Sequence, residues 1–373
     1  MDFYTKRIGE LFDRFSSGKN ITDDNIYEVG DYPVYGGNGL RGYTDKCNFD
    51  GECLIVGRQG AKCGNVRYFS GQGYMTDHAI VGVANKENST RYLTYALAAL
   101  NLNRLSGQAA QPGLSVSMLK RQKVLVPSFL IQNRIADVVS TYDSLIEVNN
   151  KRIKVLELMT ENLYKEWFVR FRFPGYKEEE FVEENPKGWI LADSQNKMKR
   201  PAKWSYQPVS KMASFIRGKN ITAEQMEEGP ISVISAGLSP SGKHNKANVI
   251  GNSITVSASG ANAGYLSYHF DDIWAADCSF LQNEEYLWFV YCSLNFLRPL
   301  LSNLQCGSAQ PHVYAKTLNK TLIIMPDESV LRQFCNTVKP VFDRINWLNK
   351  QNENLAMQRD LLLPRLMSGK IEV

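Results

Sequence analysis

Hydrophobic residues follow two different patterns along the chain, and each pattern occurs twice. In residues 5–127, and again in residues 205–326, short apolar runs such as Cys53–Val56 alternate with glycine-containing turns. Runs of this length between turns predict β-strands. A further apolar stretch in each region, near residues 90–105 and 285–301, predicts a helix. Each region is therefore predicted to fold as a mixed α+β domain.

A long helix is predicted after each of these domains. Residues 129–170 contain neither glycine nor proline, and their apolar side chains recur at alternating spacings of three and four, as in a coiled coil. Ser128 and Asp327 are suitable N-caps for the two helices. Pro340 is expected to kink or restart the second helix because proline lacks the backbone N–H, and Pro364 is expected to mark its end. The seam residues are Val139, Tyr142, Ile146, Asn149, Ile153, Leu156, Thr160, Leu163 and Trp167 in the first helix, and Val338, Val341, Ile345, Leu348, Asn352, Leu355, Arg359 and Leu362 in the second.

The second half of the chain repeats the first half. Gly18–Thr22 recurs as Gly218–Thr222, 200 residues later. A helix with one apolar seam requires a partner, and antiparallel pairing of the two helices would give the two domains the approximate two-fold symmetry of duplex DNA. The pattern alone is equally compatible with helices that join two molecules without nucleic acid. Other residues that coincide at this spacing are Gly60 with Gly260, Gly64 with Gly264, and Asp77 with Asp277.

Composition narrows the class of protein only slightly. The net charge is +5, which is compatible with nucleic-acid binding but also with many enzymes. The 7 cysteines form no Cys-x-x-Cys pair, so a zinc ribbon or a disulfide framework is not expected, and a reducing cytoplasm fits best. The first residues lack the apolar core of a signal peptide, and the most apolar stretch, residues 286–301, is interrupted by Asn295 and Arg298, so no membrane span is expected.

Four segments of the sequence resemble the specificity (S) subunits of type I restriction–modification systems. Asn162–Gly175 is similar to the central conserved segment of that family, and Leu362–Ile371 is similar to its C-terminal signature. Tyr32–Gly39 and Gln108–Ser115 resemble segments of its target-recognition domains. The resemblance covers essentially the whole chain, in the order recognition domain, helix, recognition domain, helix.

The resemblance implies an α+β fold with two similar mixed α/β target-recognition domains, separated by two long antiparallel coiled-coil helices in a pseudo-two-fold arrangement. The expected segments are recognition domain 1 at 1–127, spacer helix 1 at 128–172, a connector at 173–203, recognition domain 2 at 204–326, and spacer helix 2 with the C-terminal segment at 327–373.

The resemblance also implies a function. Each recognition domain is expected to recognise one half of a bipartite, asymmetric sequence in double-stranded DNA, and the paired helices are expected to set the gap. The chain itself would be non-catalytic and would need no cofactor or metal. Two methyltransferase subunits, which carry S-adenosylmethionine, would methylate adenine, and restriction subunits are an optional further partner. The alternative function is a coiled-coil scaffold or dimerisation protein without sequence-specific DNA recognition.

Polar side chains in the loops between strands are the candidates for DNA recognition, because Arg and Lys bind guanine and Asn and Gln bind adenine. Each is equally suited to contact a phosphate. The segment 58–62 recurs as 258–262 with its glycine kept and its polar residues changed, which predicts two half-sites of different sequence. The candidates are Lys19, Arg41, Arg58, Gln59, Lys62, Gln108 and Gln111 in the first domain, and Lys219, Lys243, His244, Asn245, Asn262, Gln310 and His312 in the second.

Aromatic residues near the end of the first helix are more numerous than a two-helix seam can cover. Exposed aromatic clusters are typical of protein interfaces, so these residues are candidates for binding partner subunits. The alternative is that they pack on their own recognition domain. The candidate partner-binding residues are Tyr164, Trp167, Phe168 and Phe171, with Arg365 and Leu366 in the C-terminal signature.

A cofactor-dependent enzyme is a third hypothesis, because Gly37–Gly42 fits the pattern G-x-G-x-x-G. We reject it, since neither a long helix nor a clear acidic ligand for a ribose follows. Asp77 and Asp277 are interpreted as turn or cap residues rather than metal ligands, and the repeated glycines as residues of turns with positive φ.

Overall fold

A computed structural model of the chain describes residues 2–60, 62–106, 113–184, 198–303 and 312–373. The chain divides into two compact units. Unit 1 comprises Met1–Asn149 and Gln351–Val373, and unit 2 comprises Asn150–Lys350. Both units contain sheets and helices, so the predicted mixed composition of each half is observed.

Unit 1 is built on a six-stranded sheet with the strand order β2-β7-β5-β6-β3-β4. All neighbouring strands are antiparallel except β3 and β6, which are parallel. A separate antiparallel ribbon pairs β1 with β8. The strands are β1 (Tyr4–Arg7), β2 (Phe12–Ser17), β3 (Tyr32–Gly36), β4 (Gly39–Thr44), β5 (Phe49–Gly57), β6 (Val66–Met75), β7 (Ala79–Ala84) and β8 (Lys123–Val126), and the helices are α1 (Thr90–Ala99), α2 (Val116–Arg121) and the first part of α3 (Phe129–Tyr164).

Strand β5 is buried on both faces because successive side chains point to opposite sides of the sheet. Leu54 and Val56 belong to a core that also contains Leu93 and Leu97 of α1, whereas Cys53 and Ile55 belong to a second core on the other face. Helix α1 begins at an N-cap serine, since Ser89 Oγ accepts a hydrogen bond from the Tyr92 N–H at 3.4 Å.

Unit 2 contains the same kinds of element, but its strands form two larger sheets instead of one, and the β9–β10 ribbon is additional. A four-stranded antiparallel sheet has the order β12-β18-β15-β16, and a three-stranded sheet has the order β14-β13-β17, in which β13 and β17 are parallel. Its elements are β9 (Phe181–Glu184), β10 (Met198–Pro201), β11 (Ser205–Pro208), β12 (Ile216–Arg217), β13 (Ile231–Ile234), β14 (Gly242–His244), β15 (Ser253–Ser257), β16 (Leu266–His269), β17 (Ile273–Ala275), β18 (Cys278–Leu281), β19 (Leu322–Met325), α4 (Leu287–Phe296), α5 (Arg298–Asn303), α6 (Ala315–Lys320) and α7 (Glu328–Met367).

The two long helices run antiparallel within each unit. In unit 1, the Asn149 side chain donates hydrogen bonds to Gln351 and Asn352, Asp143 forms an ion pair with Arg359, and Arg134 donates to the Val373 carbonyl. Residues that come earlier in α3 therefore contact residues that come later in the chain, as antiparallel pairing requires. In unit 2, the Tyr164 ring lies 6.2 Å from Phe334, near the beginning of α7. Every predicted seam residue is buried or half-buried, as a helix–helix seam requires.

Helix α7 neither restarts at Pro340 nor ends at Pro364, which corrects both of these predictions, whereas a kink at Pro340 stays a prediction. The helix is one element of 40 residues that contains both prolines. Val338 and Phe342 on either side of Pro340 are fully buried. The helix ends at Met367 and is followed by Gly369, which has φ of 70°, and the Lys370 N–H donates to the Arg365 carbonyl.

Candidate nucleic-acid interface

Four loop segments of unit 1 meet where β2, β5 and β7 end or begin. Backbone hydrogen bonds hold them together: Gly18 N–H donates to the Ala79 carbonyl at 3.0 Å, Arg58 N–H to His78 at 3.0 Å, and Leu114 N–H to Arg58 at 2.9 Å. We call this group loop cluster 1. Its segments are Ser17–Lys19, Arg58–Gly60, Thr76–Ala79 and Gly113–Leu114.

Unit 2 contains an equivalent loop cluster 2, built by the same hydrogen bonds. Gly218 N–H donates to Cys278 at 2.9 Å, Ala258 N–H to Asp277 at 3.2 Å, and Val313 N–H to Ala258 at 2.9 Å. Met75 and its equivalent Ala275 are 200 residues apart, whereas Ala79 and its equivalent Cys278 are 199 residues apart. The turn after β17 is therefore one residue shorter than the corresponding turn of unit 1. The segments of loop cluster 2 are Arg217–Lys219, Ala258–Asn262, Ala276–Cys278 and His312–Val313.

The repeated glycines have backbone roles, as predicted. Gly60 and Gly260 have φ of 87° and 73°, a region that side chains with a Cβ rarely adopt. A Cβ on Gly18 would lie 2.1 Å from the Met75 carbonyl oxygen, and one on Gly218 would lie 2.5 Å from the Ala276 oxygen. These glycines therefore let the loop segments approach one another.

An asparagine pair that the sequence reasoning missed supports both clusters. Asn48 donates to the Met75 carbonyl at 3.0 Å and accepts from the Met75 N–H at 2.8 Å. Asn248 forms the same two bonds with Ala275, at 2.9 and 2.7 Å. Because Asn48 and Asn248 are 200 residues apart, a complete comparison of the two halves would have identified them.

Loop cluster 1 brings together some of the predicted DNA-binding residues of unit 1. Lys19 and Gln59 are exposed, and Arg58 Nη1 lies 3.5 Å from Ser17 Oγ. Lys62 is exposed in the adjoining turn. Arg41 lies on β4 instead, where it pairs with Asp23 at 2.6 Å. Gln108 and Gln111 lie outside the described residues.

In unit 2 the predicted residues fall in two places. Lys219, Asn262 and His312 belong to loop cluster 2, where His312 forms a backbone bridge with Ser259. Lys243 and Asn245 are exposed but lie at β14, where Lys243 Nζ donates to the Pro230 carbonyl and Asn245 donates to Glu227. Gln310 lies outside the described residues.

His244 is not available for DNA contact, which corrects its assignment. Its side chain is buried, and its Nδ1 accepts a hydrogen bond from the Glu227 N–H at 3.0 Å. The ring also packs edge-on against Trp274, with 5.1 Å between centroids. The polarity of His244 suggests a DNA contact, but the alternation of side chains along β14 turns it inward.

The predicted exposed aromatic cluster is also buried. Phe168 lies 4.9 Å from Phe334 and 5.7 Å from Trp204, all within the main core of unit 2. Leu366 is buried in the core of unit 1, whereas Arg365 is exposed. The aromatics are therefore buried, but they pack on recognition domain 2 and α7 and not on the domain that precedes their own helix. The exposure on which their partner role rested is absent. The residues concerned are Tyr164, Trp167, Phe168 and Phe171.

Loop cluster 2 contains a charged network that the sequence reasoning also missed. Arg217 forms an ion pair with Asp277, whose carboxylate accepts a second hydrogen bond from Ser259 Oγ. Burial by itself raises the pKa of Asp277, but the hydrogen bonds from Ser259 and Arg217, with the arginine charge, lower it below its usual value. Asp277 is thus a structural anchor, in agreement with its predicted role.

The G-x-G-x-x-G segment does not form a dinucleotide site. Gly37–Gly42 covers the turn of the β3–β4 hairpin and the beginning of β4, whereas a dinucleotide fingerprint opens a helix. Among the described residues, no helix combines the length and the apolarity that a membrane span requires.

The sequence is similar to proteins of one known family. Residues 1–158 match the family model described as type I restriction modification DNA specificity domain. The specificity subunit of the Escherichia coli type I restriction enzyme EcoprrI is 40% identical over 144 residues, or 38% of this chain and 36% of that protein. Both matches are to type I restriction–modification specificity proteins, and both lie within less than half of this chain.

Other relatives extend the similarity beyond the first half of the chain. The specificity subunit of Methanocaldococcus jannaschii MjaIX is 28% identical over 291 residues, 73% of this chain and 66% of that protein. The chain thus matches about one third of the length of the EcoprrI subunit and slightly under two thirds of the length of the MjaIX subunit. The crystal structure of an S subunit from M. genitalium has a TM-score of 0.62 at 20% identity, covering 98% of this chain and 96% of that chain, so the fold class is confirmed over both halves.

Proposed function

We propose that this chain is a type I restriction–modification specificity subunit and that it recognises a bipartite, asymmetric DNA sequence, with loop cluster 1 contacting one half-site and loop cluster 2 the other. Recognition of a DNA target is the role of the family. The bipartite form of that target in this protein is our inference from the internal repeat.

One observation carries the proposal: the two loop clusters share a backbone and differ in their side chains. The same hydrogen bonds hold Arg58 in unit 1 and Ala258 in unit 2, and the same glycine turns follow them. Bases are distinguished by the donors and acceptors that side chains present to a groove. Two similar scaffolds with different polar groups are therefore suited to two different half-sites.

The long helices are proposed to fix the number of base pairs between the half-sites. Helix α3 contributes residues to both units, and so does α7. Helices of 36 and 40 residues are about 54 and 60 Å long at 1.5 Å per residue. One turn of duplex DNA is about 34–36 Å, so each helix is about one and a half turns of DNA long.

Catalysis is assigned to partner subunits. We propose that the chain itself is non-catalytic and cytoplasmic, and that it recruits two methyltransferase subunits carrying S-adenosylmethionine, with restriction subunits as an optional addition. The chain would then need no cofactor of its own. Its net charge of +5 is small for two DNA-binding units, so we expect full affinity for DNA only in the complex.

Domain exchange tests the proposal. Cells would express the chain with its methyltransferase subunit, and their methylated sequences would be compared before and after replacement of residues 5–127 by the corresponding domain of another specificity subunit. We expect one half of the methylated motif to change and the other to stay. The reciprocal exchange of residues 204–326 is the matched control and should change the other half. A change in both halves of the motif contradicts the proposal. An unchanged motif also contradicts it, and is the result expected of a scaffold protein that does not recognise DNA.

A further inference from the structure

Each loop cluster holds one arginine at the same turn, but the two arginines come from different strands. In unit 1, Arg58 follows β5, and its Nη1 lies 3.5 Å from Ser17 Oγ and 3.5 Å from the Asp77 carbonyl oxygen. In unit 2, the equivalent of Arg58 is Ala258, and the equivalent of Ser17 is Arg217. The guanidinium is thus kept while the residue that supplies it changes.

The surroundings of Arg217 fix its orientation and leave it accessible. Its Nη2 donates to Asp277 Oδ1, and Ser259 holds the same carboxylate from the other side. The Arg217 side chain is nevertheless 45% exposed, whereas that of Asp277 is 25% exposed. A guanidinium has five N–H donors, so donors remain for a ligand after the carboxylate is bound.

The local charge favours a base over a phosphate as that ligand. A phosphate contact depends mainly on positive charge, and the Asp277 carboxylate cancels the charge of Arg217 at short range. The carboxylate does not occupy all of the guanidinium N–H donors. The remaining donors lie in one plane, as a fork, and match the O6 and N7 acceptors of guanine in the major groove. A bound carboxylate also keeps the fork from rotating, which increases discrimination between bases.

We propose that Arg217 recognises a guanine in the half-site of unit 2, and that Asp277 is its positioning residue. Arg58 occupies the equivalent place in unit 1. This assignment rests on the proposed function, since it requires unit 2 to contact bases.

The test uses the complex of the full chain with its methyltransferase subunit and a duplex that carries the methylated motif found in cells. Each guanine in the unit 2 half-site would be replaced in turn by 7-deazaguanine, which lacks the N7 acceptor. We expect one replacement to weaken binding by about tenfold with the wild-type chain, and by less than twofold with Arg217→Lys, which keeps the charge but loses the fork. Asp277→Asn should also reduce the effect, while keeping the arginine.

Matched controls separate this role from a structural one. Arg332→Lys, at an exposed ion pair with Glu328 on α7, should keep the full tenfold effect. Arg58→Lys should leave the unit 2 half-site unaffected. If Arg217→Lys destabilises unit 2, Asp277→Asn still provides the comparison.

Two results overturn the assignment without touching the proposed function: a unit 2 half-site with no G·C pair, or equal sensitivity to 7-deazaguanine in the wild-type and Arg217→Lys chains. A wild-type chain that directs no sequence-specific methylation overturns both.

Discussion

At the scale of single residues, the two asparagines of the helical seams pair with each other. Asn149 and Asn352 interrupt the apolar spacing of the two helices. In unit 1 the Asn149 side-chain amide donates to Asn352 Oδ1 at 2.9 Å and to Gln351 Oε1 at 3.0 Å. Buried amides of this kind fix the register of paired helices at some cost in stability.

Replacement of Asn149 by alanine should lower the free energy of unfolding of unit 1 by about 1–3 kcal/mol, because two acceptors lose their donor in a site where Asn149 is 3% exposed. Chemical denaturation followed by circular dichroism measures the change. Asn162→Ala, at an exposed position of the same helix, should cost less than about 0.5 kcal/mol. Equal effects of the two substitutions would show that the buried pair contributes nothing specific.

A second residue gives unit 2 a defined pH dependence. Burial lowers the pKa of His269 to about 4, and its Nε2 lies 2.8 Å from Thr255 Oγ1. The unfolded chain binds the proton at the ordinary pKa near 6.5, so acid favours unfolding. Stability from this group is therefore complete above about pH 6.5 and is lost as the pH falls towards 4.

His269→Gln should remove this dependence, which amounts to about 3 kcal/mol between pH 6.5 and 4. The measurement is the difference in unfolding free energy between wild type and variant across that range. Parallel pH curves for the wild-type and His269→Gln chains would refute the assigned pKa.

At the scale of elements, the paired helices are the part of the fold best predicted from sequence. Their spacing is a local signal, and both seams are buried as expected. The aromatic residues after Leu163 were misplaced because their burial depends on Trp204 and Phe289, which are distant in sequence. Helix α7 continues through Pro340 instead of restarting there, since tertiary packing can override a local propensity.

Insertion of seven residues, one heptad, between Asn150 and Lys151 and also between Asn349 and Lys350 should lengthen the gap between half-sites by about three base pairs. A heptad preserves the seam and adds about 10 Å to each helix. The methylated motif reports the gap, and both half-sites should be unchanged. The same insertion in α3 alone should disrupt the pairing of Asn149 and reduce methylation. A doubly inserted chain with the original gap would show that the helices do not set it.

At the scale of the whole molecule, the repeat predicted the architecture better than it predicted the site. Glycines at equal spacing identify the shared backbone of the loop clusters, because positive φ at Gly60 and Gly260 and close backbone approach at Gly18 and Gly218 both favour glycine. The functional side chains were harder to find. The proposed role of Arg217 has no signal in the sequence, because only the fold brings it together with Asp277 and Ser259. The polarity of His244 is misleading, because β14 buries its side chain.

The central claim is that one chain carries two different DNA-recognition units. Sequencing of methylated adenines in cells that express the chain with its methyltransferase subunit, compared with cells that lack the chain, tests it most directly. We predict a motif of two short, different sequences separated by a constant number of unspecified bases. A continuous or palindromic motif, or methylation that is the same without the chain, would contradict the account.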